Sequence, residues 1–260
     1  MSAFGGHSRR LELERYLFIE PETWLMAFWD GQPAGMVGAV LYGPFAYIGL
    51  MGVHEDFQRR GIGRRLMCAI QDVIRHRGCD LILLDASEKG APLYAQLGYR
   101  DESLAELYFL PGNATRAGIG AGIQPVTFAD LPELASFDRP IFGADRRCVL
   151  EAYLRDFPGR AFLCRDPEGE ITGYIYAQSW RLGPWAARKP EVADALLAAA
   201  LSLEFSEEPS VIIPSRSPAA GLLSSRGFEQ VRTLRHMYLG SAYPKRRMEC
   251  LYGQASFMLG

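Results

Sequence analysis

Thirteen residues in the first quarter of the chain combine residue types and spacing that could hold a phosphate group. Residues 53–65 read VHEDFQRRGIGRR. Gln58, Gly61 and Gly63 fall between a strand-like run and a helical period, so backbone N–H groups converge there at the positive end of a helix dipole. Four arginines add charge that offsets a pyrophosphate and one further phosphate: Arg59, Arg60, Arg64 and Arg65. The segment predicts a cradle for a small polyphosphate.

Two better-known phosphate loops do not fit these residues. The dinucleotide-binding GxGxxG pattern needs a third glycine where this chain has Leu66, and the Walker pattern needs a Gly-Lys-Ser/Thr sequence that the chain lacks. The plain alternative is an arginine-rich, solvated helix start that binds nothing. The elements around the loop have to decide between the cradle and this alternative.

The residues that flank the cradle predict a sheet with helices around it. Residues 24–53 read as three strands of a meander, because Asp30-Gly31 and Gly43-Pro44 mark turns between strand-like runs. From residue 62 to 74 apolar residues recur at helical spacing. Residues 81–84 then form an unbroken apolar run, typical of a buried strand, and a short helix at 91–97 and a strand at 104–110 follow.

The second half repeats this order of elements. Matching landmarks are separated by offsets of 138, 131 and 129 residues, which fall steadily along the chain: Gly31 with Gly169, Gly52 with Gly183, and Gly98 with Gly227. The pattern predicts two α/β domains of one fold at residues 1–112 and 121–260, joined by a glycine-rich linker at 113–120. The first copy has only a helix near residues 11–17 before its meander, so its opening strand and helix are absent. Either the start is truncated or a C-terminal strand at 254–259 completes the sheet edge.

Length and charge exclude several functional classes. The chain has 260 residues and a net charge of −2, with 12 basic against 14 acidic residues up to position 120 and 16 against 16 beyond it. Neither half carries the basic excess of a nucleic-acid-binding protein. Five scattered cysteines without a CxxC pair predict a reducing compartment and no metal site. With no signal-like start and no apolar run long enough for a bilayer, we expect a cytoplasmic protein without a membrane segment.

The sequence closely resembles the GNAT superfamily of N-acetyltransferases. The resemblance rests on the hairpin at 30–35, the Q-x-x-G-x-G loop at 58–63 and the APLYAQLGY segment at 91–99. The second half is similar to the degenerate C-terminal domain of tandem acetyltransferases, with FGADR at 142–146, GPWAA at 183–187 and a GQASFMLG ending. The resemblance implies two tandem GNAT-like domains, each a mixed, mostly antiparallel twisted sheet flanked by helices, with central parallel strands splayed at the cofactor site.

The resemblance also implies an activity and a set of site residues. We expect acetyl-CoA to donate an acetyl group to a primary amine, on a small molecule or another acceptor, by direct attack in a ternary complex without a metal. Tyr94 falls on the tyrosine that protonates the departing thiolate, although it could instead be a packed tyrosine with its hydroxyl hydrogen-bonded. The implied cofactor-binding residues are Leu50, Met51, Gly52, Val53, Gln58, Arg59, Arg60, Gly61, Ile62, Gly63 and Arg64. The alternative is a non-catalytic acyl-CoA-binding regulatory module.

Three points stay open at the level of sequence. The general base could be Asp85, His54, Glu55 or a water chain, and the amine could already be neutral. The second copy lacks the residue types required at the cradle and acid positions, where it has Lys189, Val192, Asp194 and Leu223. We therefore predict that it binds CoA weakly or not at all. The oligomeric state is undetermined, with a homodimer as one alternative.

Overall fold

A computed structural model describes residues 10–112, 122–240, 243 and 245–260. The strands are β1 (Trp24–Trp29), β2 (Gln32–Leu41), β3 (Ala46–Val53), β4 (Ile82–Ala86), β5 (Arg100–Phe109), β6 (Ile123–Pro125), β7 (Ala161–Arg165), β8 (Ile171–Ala177), β9 (Arg181–Ala187), β10 (Ser210–Pro214), β11 (Glu229–Leu239) and β12 (Leu251–Gly253). The helices are α1 (Arg10–Ile19), α2 (Ile62–His76), α3 (Ala91–Gln96), α4 (Leu131–Phe142), α5 (Arg147–Asp156), α6 (Pro190–Leu201) and α7 (Ala219–Ser225). The predicted linker at 113–120 lies outside the described residues.

All twelve strands of the described chain form one sheet. Its order is β1-β2-β3-β4-β11-β5-β10-β9-β8-β7-β6, with β12 paired to β9 off this path. Parallel pairing among these strands is confined to β3 with β4 and β9 with β10. This mixed, mostly antiparallel sheet with helices on its faces confirms the predicted fold class, and the two parallel pairs occupy equivalent places in the two copies.

The two copies exchange strands at the centre of the sheet. β11 belongs to the second half of the sequence, yet it pairs with β4 of the first half, with His236 opposite Asp85. β5 belongs to the first half and pairs with β10 of the second half on one side and with β11 on the other. Each half therefore relies on a strand from the other. The boundaries at 112 and 121 stay a prediction about the sequence copies, and the sheet itself runs across them.

Helices of the second half cover the face that the first half leaves bare. Tyr42, Phe45 and Tyr47 share a buried cluster with residues of α4 and α5. The ring of Phe142, at the end of α4, lies 4.8 Å from that of Tyr42 and 5.4 Å from that of Phe45. The opposite face of β2, β3 and β4 packs against the apolar side of α2. On this face, the core of the first half is thus completed by helices of the second half.

The suggestion that residues 254–259 form the edge strand of the first half is wrong. β1 is the terminal strand of the sheet, and the side chains of Met26 and Phe28 on it are 56% and 60% exposed. The C-terminal strand is β12 at Leu251–Gly253, and it pairs with β9 far from that edge. Residues 254–259 instead turn toward β3, where Met258 rests against Gly49. The segment lies away from the β1 edge because the parallel strands β9 and β10 of the second half leave a gap, which this segment enters.

Sequence patterns missed two of these strands. β9 contains Gly183-Pro184, a pair that predicts the end of a strand. In the structure the strand continues through both residues. β11 begins with five exposed positions at Glu229–Thr233, so it lacks the apolar alternation of a strand until Leu234. No helix within the described ranges is both long enough and apolar enough to cross a membrane.

Candidate functional site

A cleft opens where the parallel strands β3 and β4 move apart. Their pairing ends at Ile48 and Leu84, although β3 continues to Val53 and β4 to Ala86. Leu50 has a left-handed backbone with φ of 48°, an uncommon conformation that turns the strand at the start of the gap. The cleft has a volume of about 970 Å³ and is lined by both strand ends, the following loop and α3. The backbone groups of β3 beyond Ile48 are thereby left without a partner in β4.

The predicted cradle forms one end of this cleft. Gly61 precedes α2 with φ of 78°, a conformation that favours glycine, and no side chain caps the helix. The first-turn N–H groups of α2 consequently have no side-chain acceptor, and Gly61, Ile62 and Gly63 line the cleft. A Cβ atom on Gly63 would lie 2.9 Å from Cε of Met51, so glycine lets α2 approach β3 closely. The arrangement can bind a polyphosphate through backbone donors and the helix dipole.

The loop cations divide into two groups. Arg59 and Arg64 line the cleft, and Nη2 of Arg64 donates to Oε1 of Gln96 at 2.8 Å. The guanidinium of Arg60 lies outside the lining, 5.1 Å from the ring of Trp29. Lys89 and Arg232 also line the cleft, and neither stood out in the sequence because each is isolated there. Positive charge at the cleft therefore comes from the loop, from the segment before α3 and from β11.

Gln58 holds the loop against the strand that precedes it. Its Nε2 donates to the carbonyl oxygen of Val53 at 3.0 Å. This hydrogen bond fixes the turn between the end of β3 and the start of α2, which brings the strand edge and the helix amides onto one cleft.

Tyr94 lies on α3 with its side chain at the cleft wall. It is 8% exposed, and burial raises the pKa of its hydroxyl to about 12. The hydroxyl is therefore protonated at neutral pH. No residue in the described part of the chain forms a hydrogen bond with it, so it is available to donate to an anion in the cleft.

Asp85 is the centre of a buried hydrogen-bond network at the cleft. Its side chain is 0% exposed, its Oδ2 accepts from the hydroxyl of Tyr47 at 2.7 Å, and its Oδ1 lies 2.7 Å from Nδ1 of His236. The other ring nitrogen of His236 lies 2.8 Å from the hydroxyl of Tyr243. Burial, reinforced by Asp85, raises the pKa of Tyr47 well above its usual value, so that hydroxyl acts as a donor. A carboxylate bound to a histidine in this way can accept and pass on a proton.

The structure separates the three side chains that were candidates for the base. Asp85 lines the cleft. His54 and Glu55 do not, and Nδ1 of His54 accepts from the backbone N–H of Asp56 at 3.4 Å. His236 was missed because it lies 151 residues from Asp85 in the sequence and reaches it only through the exchanged strand β11.

The cleft passes through the sheet from one face to the other. Met51, Leu93 and Tyr94 belong to the cluster packed on α2. Asp85 lies on the opposite face, where it contacts Tyr47 of the other core cluster. A ligand on the α2 face and a second reactant on the opposite face could therefore meet in the gap between β3 and β4.

The equivalent place in the second half lacks this chemistry. α6 begins at Pro190 with no glycine at its start, and Asp194 in it forms a hydrogen bond with Nε of Arg226 at 2.8 Å. Leu223, at the position that corresponds to Tyr94, is fully buried in the core. Within the described ranges, no group of three or more His, Cys, Asp or Glu side chains is arranged to hold a metal ion.

Comparisons with known proteins match both halves of the chain to acetyltransferases. The model of the acetyltransferase (GNAT) family matches residues 2–99, and that of an acetyltransferase (GNAT) domain matches residues 134–253. A crystal structure from Pyrococcus horikoshii, assigned as an acetyltransferase, is 31% identical, with a TM-score of 0.86, over 99% of this chain and 88% of that one. A holothin acyltransferase of Pseudoalteromonas sp. is 25% identical over 96% of this chain and 85% of its own length. A tandem GNAT protein of clavulanic acid biosynthesis shares the fold, with 14% identity and a TM-score of 0.59 over 92% of each chain.

Proposed function

Because the chain belongs to the GNAT family of acetyltransferases, we propose that it transfers an acetyl group from acetyl-CoA to a primary amine by direct attack in a ternary complex. The observation that carries the proposal is the divergence of β3 and β4, which places the cradle, Tyr94 and Asp85 on one cleft. Bound acetyl-CoA supplies an activated acyl carbon and a thiolate leaving group.

The cleft residues fit the parts of this co-substrate. The first-turn amides of α2, with Arg59 and Arg64 beside them, would hold the pyrophosphate. The unpaired edge of β3 at residues 50–53 offers N–H and C=O groups to the amides of the pantetheine arm, as an added strand would pair. The pyrophosphate and the pantetheine arm thus each have a matching set of donors or acceptors in the cleft.

Tyr94 and Asp85 divide the proton transfers between the two faces of the sheet. Asp85 accepts the proton that the amine loses as its nitrogen attacks, while Tyr47 and His236 hold the carboxylate in place. Tyr94 supplies a hydrogen bond or a proton to the departing sulfur on the α2 face. His236 links Asp85 to Tyr243, which provides a hydrogen-bonded route for the proton away from the cleft.

A Tyr94→Phe variant is expected to turn over ten- to a hundredfold more slowly while it binds CoA with unchanged affinity. The acid must carry its proton, and a pKa of about 12 keeps it protonated throughout the usual assay range. The wild-type rate from bound substrates should accordingly show no decline between about pH 7 and pH 10 that depends on Tyr94. Initial rates of thiol release over this range, with calorimetry of CoA binding, test both statements. Full turnover in the phenylalanine variant would refute the acid role.

The two groups of loop arginines are expected to differ in their contribution to CoA binding. Arg59→Ala or Arg64→Ala should weaken CoA affinity by roughly tenfold, since each removes a charge-assisted donor from the cleft. Arg60→Ala is the matched control, and we expect it to change affinity by less than about threefold because that guanidinium lies on Trp29. Calorimetric titration at low and high salt measures the difference. A loss at Arg60 equal to that at Arg59 would contradict this division.

Release of free thiol from acetyl-CoA in the presence of an amine panel tests the proposed function itself. Holothin belongs in the panel, because the Pseudoalteromonas relative is named for it. Amine-dependent thiol release, with acetylated product seen by mass spectrometry, would support the proposal. CoA binding without release on any acceptor would favour the acyl-CoA-binding regulatory module instead.

A further inference from the structure

The C-terminal segment, residues 251–260, is one of the most deeply buried parts of the chain. Five of its side chains are no more than 3% exposed: Leu251, Tyr252, Gln254, Ala255 and Leu259. Phe257 and Met258 are the two members of the segment that are partly buried. The segment has little regular structure beyond β12, so its burial has to be explained by what it contacts.

The segment occupies the gap between the parallel strands of the second half. β9 and β10 pair only where Arg181 and Leu182 face Ser210 and Val211. β12 then pairs along β9, with Leu251 opposite Ala186 and Gly253 opposite Trp185. On the other side, the N–H of Gln254 donates to the carbonyl oxygen of Ile212 in β10 at 2.8 Å. The gap that forms a cleft in the first half is therefore filled here by the chain's own backbone.

Hydrogen bonds anchor the segment on both sides of Phe257 and Met258. Before them, Nε2 of Gln178 donates to the carbonyl oxygen of Ala255 at 3.0 Å. After them, the hydroxyl of Tyr42 donates to the carbonyl oxygen of Leu259 at 3.0 Å, and Nη1 of Arg146 donates to that of Gly260 at 3.2 Å. The two side chains are held between fixed points.

Phe257 and Met258 reach the cleft of the first half. Both line it. Phe257 packs in a cluster with Leu234 and Ile212. Met258 lies so close to β3 that a Cβ atom on Gly49 would be 2.5 Å from its own Cβ. The second half thus contributes two apolar side chains to the wall of the first cleft.

These side chains lie on the face of the sheet from which the acceptor must approach. Tyr94 and α2 occupy the opposite face, where the co-substrate is held under the proposed function. The charged residues that the lining strands place on the acceptor face are Arg232 and Asp85, and the side chain of Asp85 is 0% exposed. The rest of this wall is apolar, formed by Leu50, Leu234, Phe257 and Met258.

We propose that the C-terminal segment selects the acceptor, and that the acceptor is an amine carried on a planar, apolar body. The ring of Phe257 and the thioether of Met258 suit an aromatic face through stacking and sulfur–aromatic contact. A sugar or a peptide backbone would leave hydroxyl or amide groups without partners against this wall, which costs affinity. The inference rests on the proposed function, because it specifies the substrate of that same cleft.

The test compares 2-phenylethylamine, glucosamine and a lysine-containing peptide as acceptors for the full chain. We expect wild-type kcat/KM for 2-phenylethylamine to exceed that for glucosamine at least tenfold, and Phe257→Ala to reduce this ratio by about tenfold. Met258→Ala should lower it in the same direction, with KM for acetyl-CoA unchanged in both variants. Phe205→Ala is a matched control. Both phenylalanines are half-buried with an arginine over the ring, Arg181 at 5.8 Å for Phe257 and Arg160 at 5.0 Å for Phe205, but Phe205 lies outside the cleft.

A binding measurement separates failure of this inference from failure of the proposed function. Ligand-observed NMR should detect 2-phenylethylamine on the CoA complex of the wild type and of Phe205→Ala, and lose it for Phe257→Ala, whether or not turnover occurs. Acetylation by the wild type with a preference for glucosamine, or an unchanged ratio in folded Phe257→Ala and Met258→Ala, overturns the inference alone. Absence of acetylation for every amine overturns the proposed function. If 2-phenylethylamine also fails to bind the CoA complex of the wild type, the inference is overturned as well.

Discussion

Asp85→Asn is expected to lower kcat by two to four orders of magnitude and to leave CoA affinity within about twofold of the wild type. The amide has the shape of the carboxylate and can keep the hydrogen bond from Tyr47, but it cannot accept a proton from the amine. Asp85 lines the cleft with its carboxylate buried in the network of Tyr47 and His236, and that network does not include the cradle that would hold the co-substrate. Single-turnover rates with saturating amine, together with calorimetry of CoA, measure the two effects separately.

A histidine variant distinguishes a base from a merely structural carboxylate. His236→Gln keeps the carboxylate of Asp85 and should lower kcat less than Asp85→Asn does, since His236 positions Asp85. Asp101→Asn, in β5 outside the cleft, is the control and should match the wild type. Turnover within threefold of wild type in Asp85→Asn would assign the deprotonation to water or to an already neutral amine.

Asp138→Ala is expected to reduce the free energy of unfolding by about 3–5 kcal/mol, because it leaves a buried guanidinium without its counterion. The side chains of Arg146 and Asp138 are 0% and 1% exposed and are joined by two hydrogen bonds of 2.7 and 2.9 Å. The hydroxyl of Tyr174 also donates to Asp138, at 2.5 Å. For a chain of this length the loss corresponds to a fall in Tm of roughly 10 °C. Thermal and urea unfolding measure it.

An exposed ion pair of the same kind provides the control for this stability effect. Asp101 and Arg235 are 49% and 43% exposed, so Asp101→Ala should cost no more than about 1 kcal/mol. The double variant Asp138→Leu with Arg146→Met should recover much of the stability, because it removes both charges instead of one. If Asp138→Ala unfolds at the wild-type temperature, the buried pair contributes nothing and the argument from desolvation is wrong for this site.

The parts of the site that could be predicted are those encoded within a short stretch of sequence. The cradle at residues 58–64 and Tyr94 each depend on local spacing, and the structure places Gly61, Gly63 and Tyr94 on one cleft. Arg60 lies in the same loop, but its guanidinium packs on the ring of Trp29, which belongs to β1. The spacing of residues within the loop does not predict that contact.

The parts that could not be predicted depend on strands that meet from opposite ends of the chain. His236 contacts Asp85 because β11 pairs with β4. The first half of β11 is polar and exposed, so its sequence does not predict a strand. The prediction that residues 254–259 form an edge strand of the first half is wrong because nothing in their composition indicates the gap between β9 and β10. The Arg146 of the FGADR segment was seen only as part of a resemblance, and its buried partners lie on α4 and β8.

The interleaving of β5 and β11 also governs when the site can exist during synthesis. β4 gains its second neighbour only when residues 235–239 have left the ribosome, and the cleft wall closes only with Phe257 and Met258. Domains of a chain ordinarily fold one after another from the N-terminus, but here the first copy cannot finish before the second. Pairing across about 150 residues makes the final step a slow, non-local one. The second copy therefore also takes part in the folding of the first: without β11 and the C-terminal segment, the first copy has neither His236 beside Asp85 nor Phe257 and Met258 on its cleft wall.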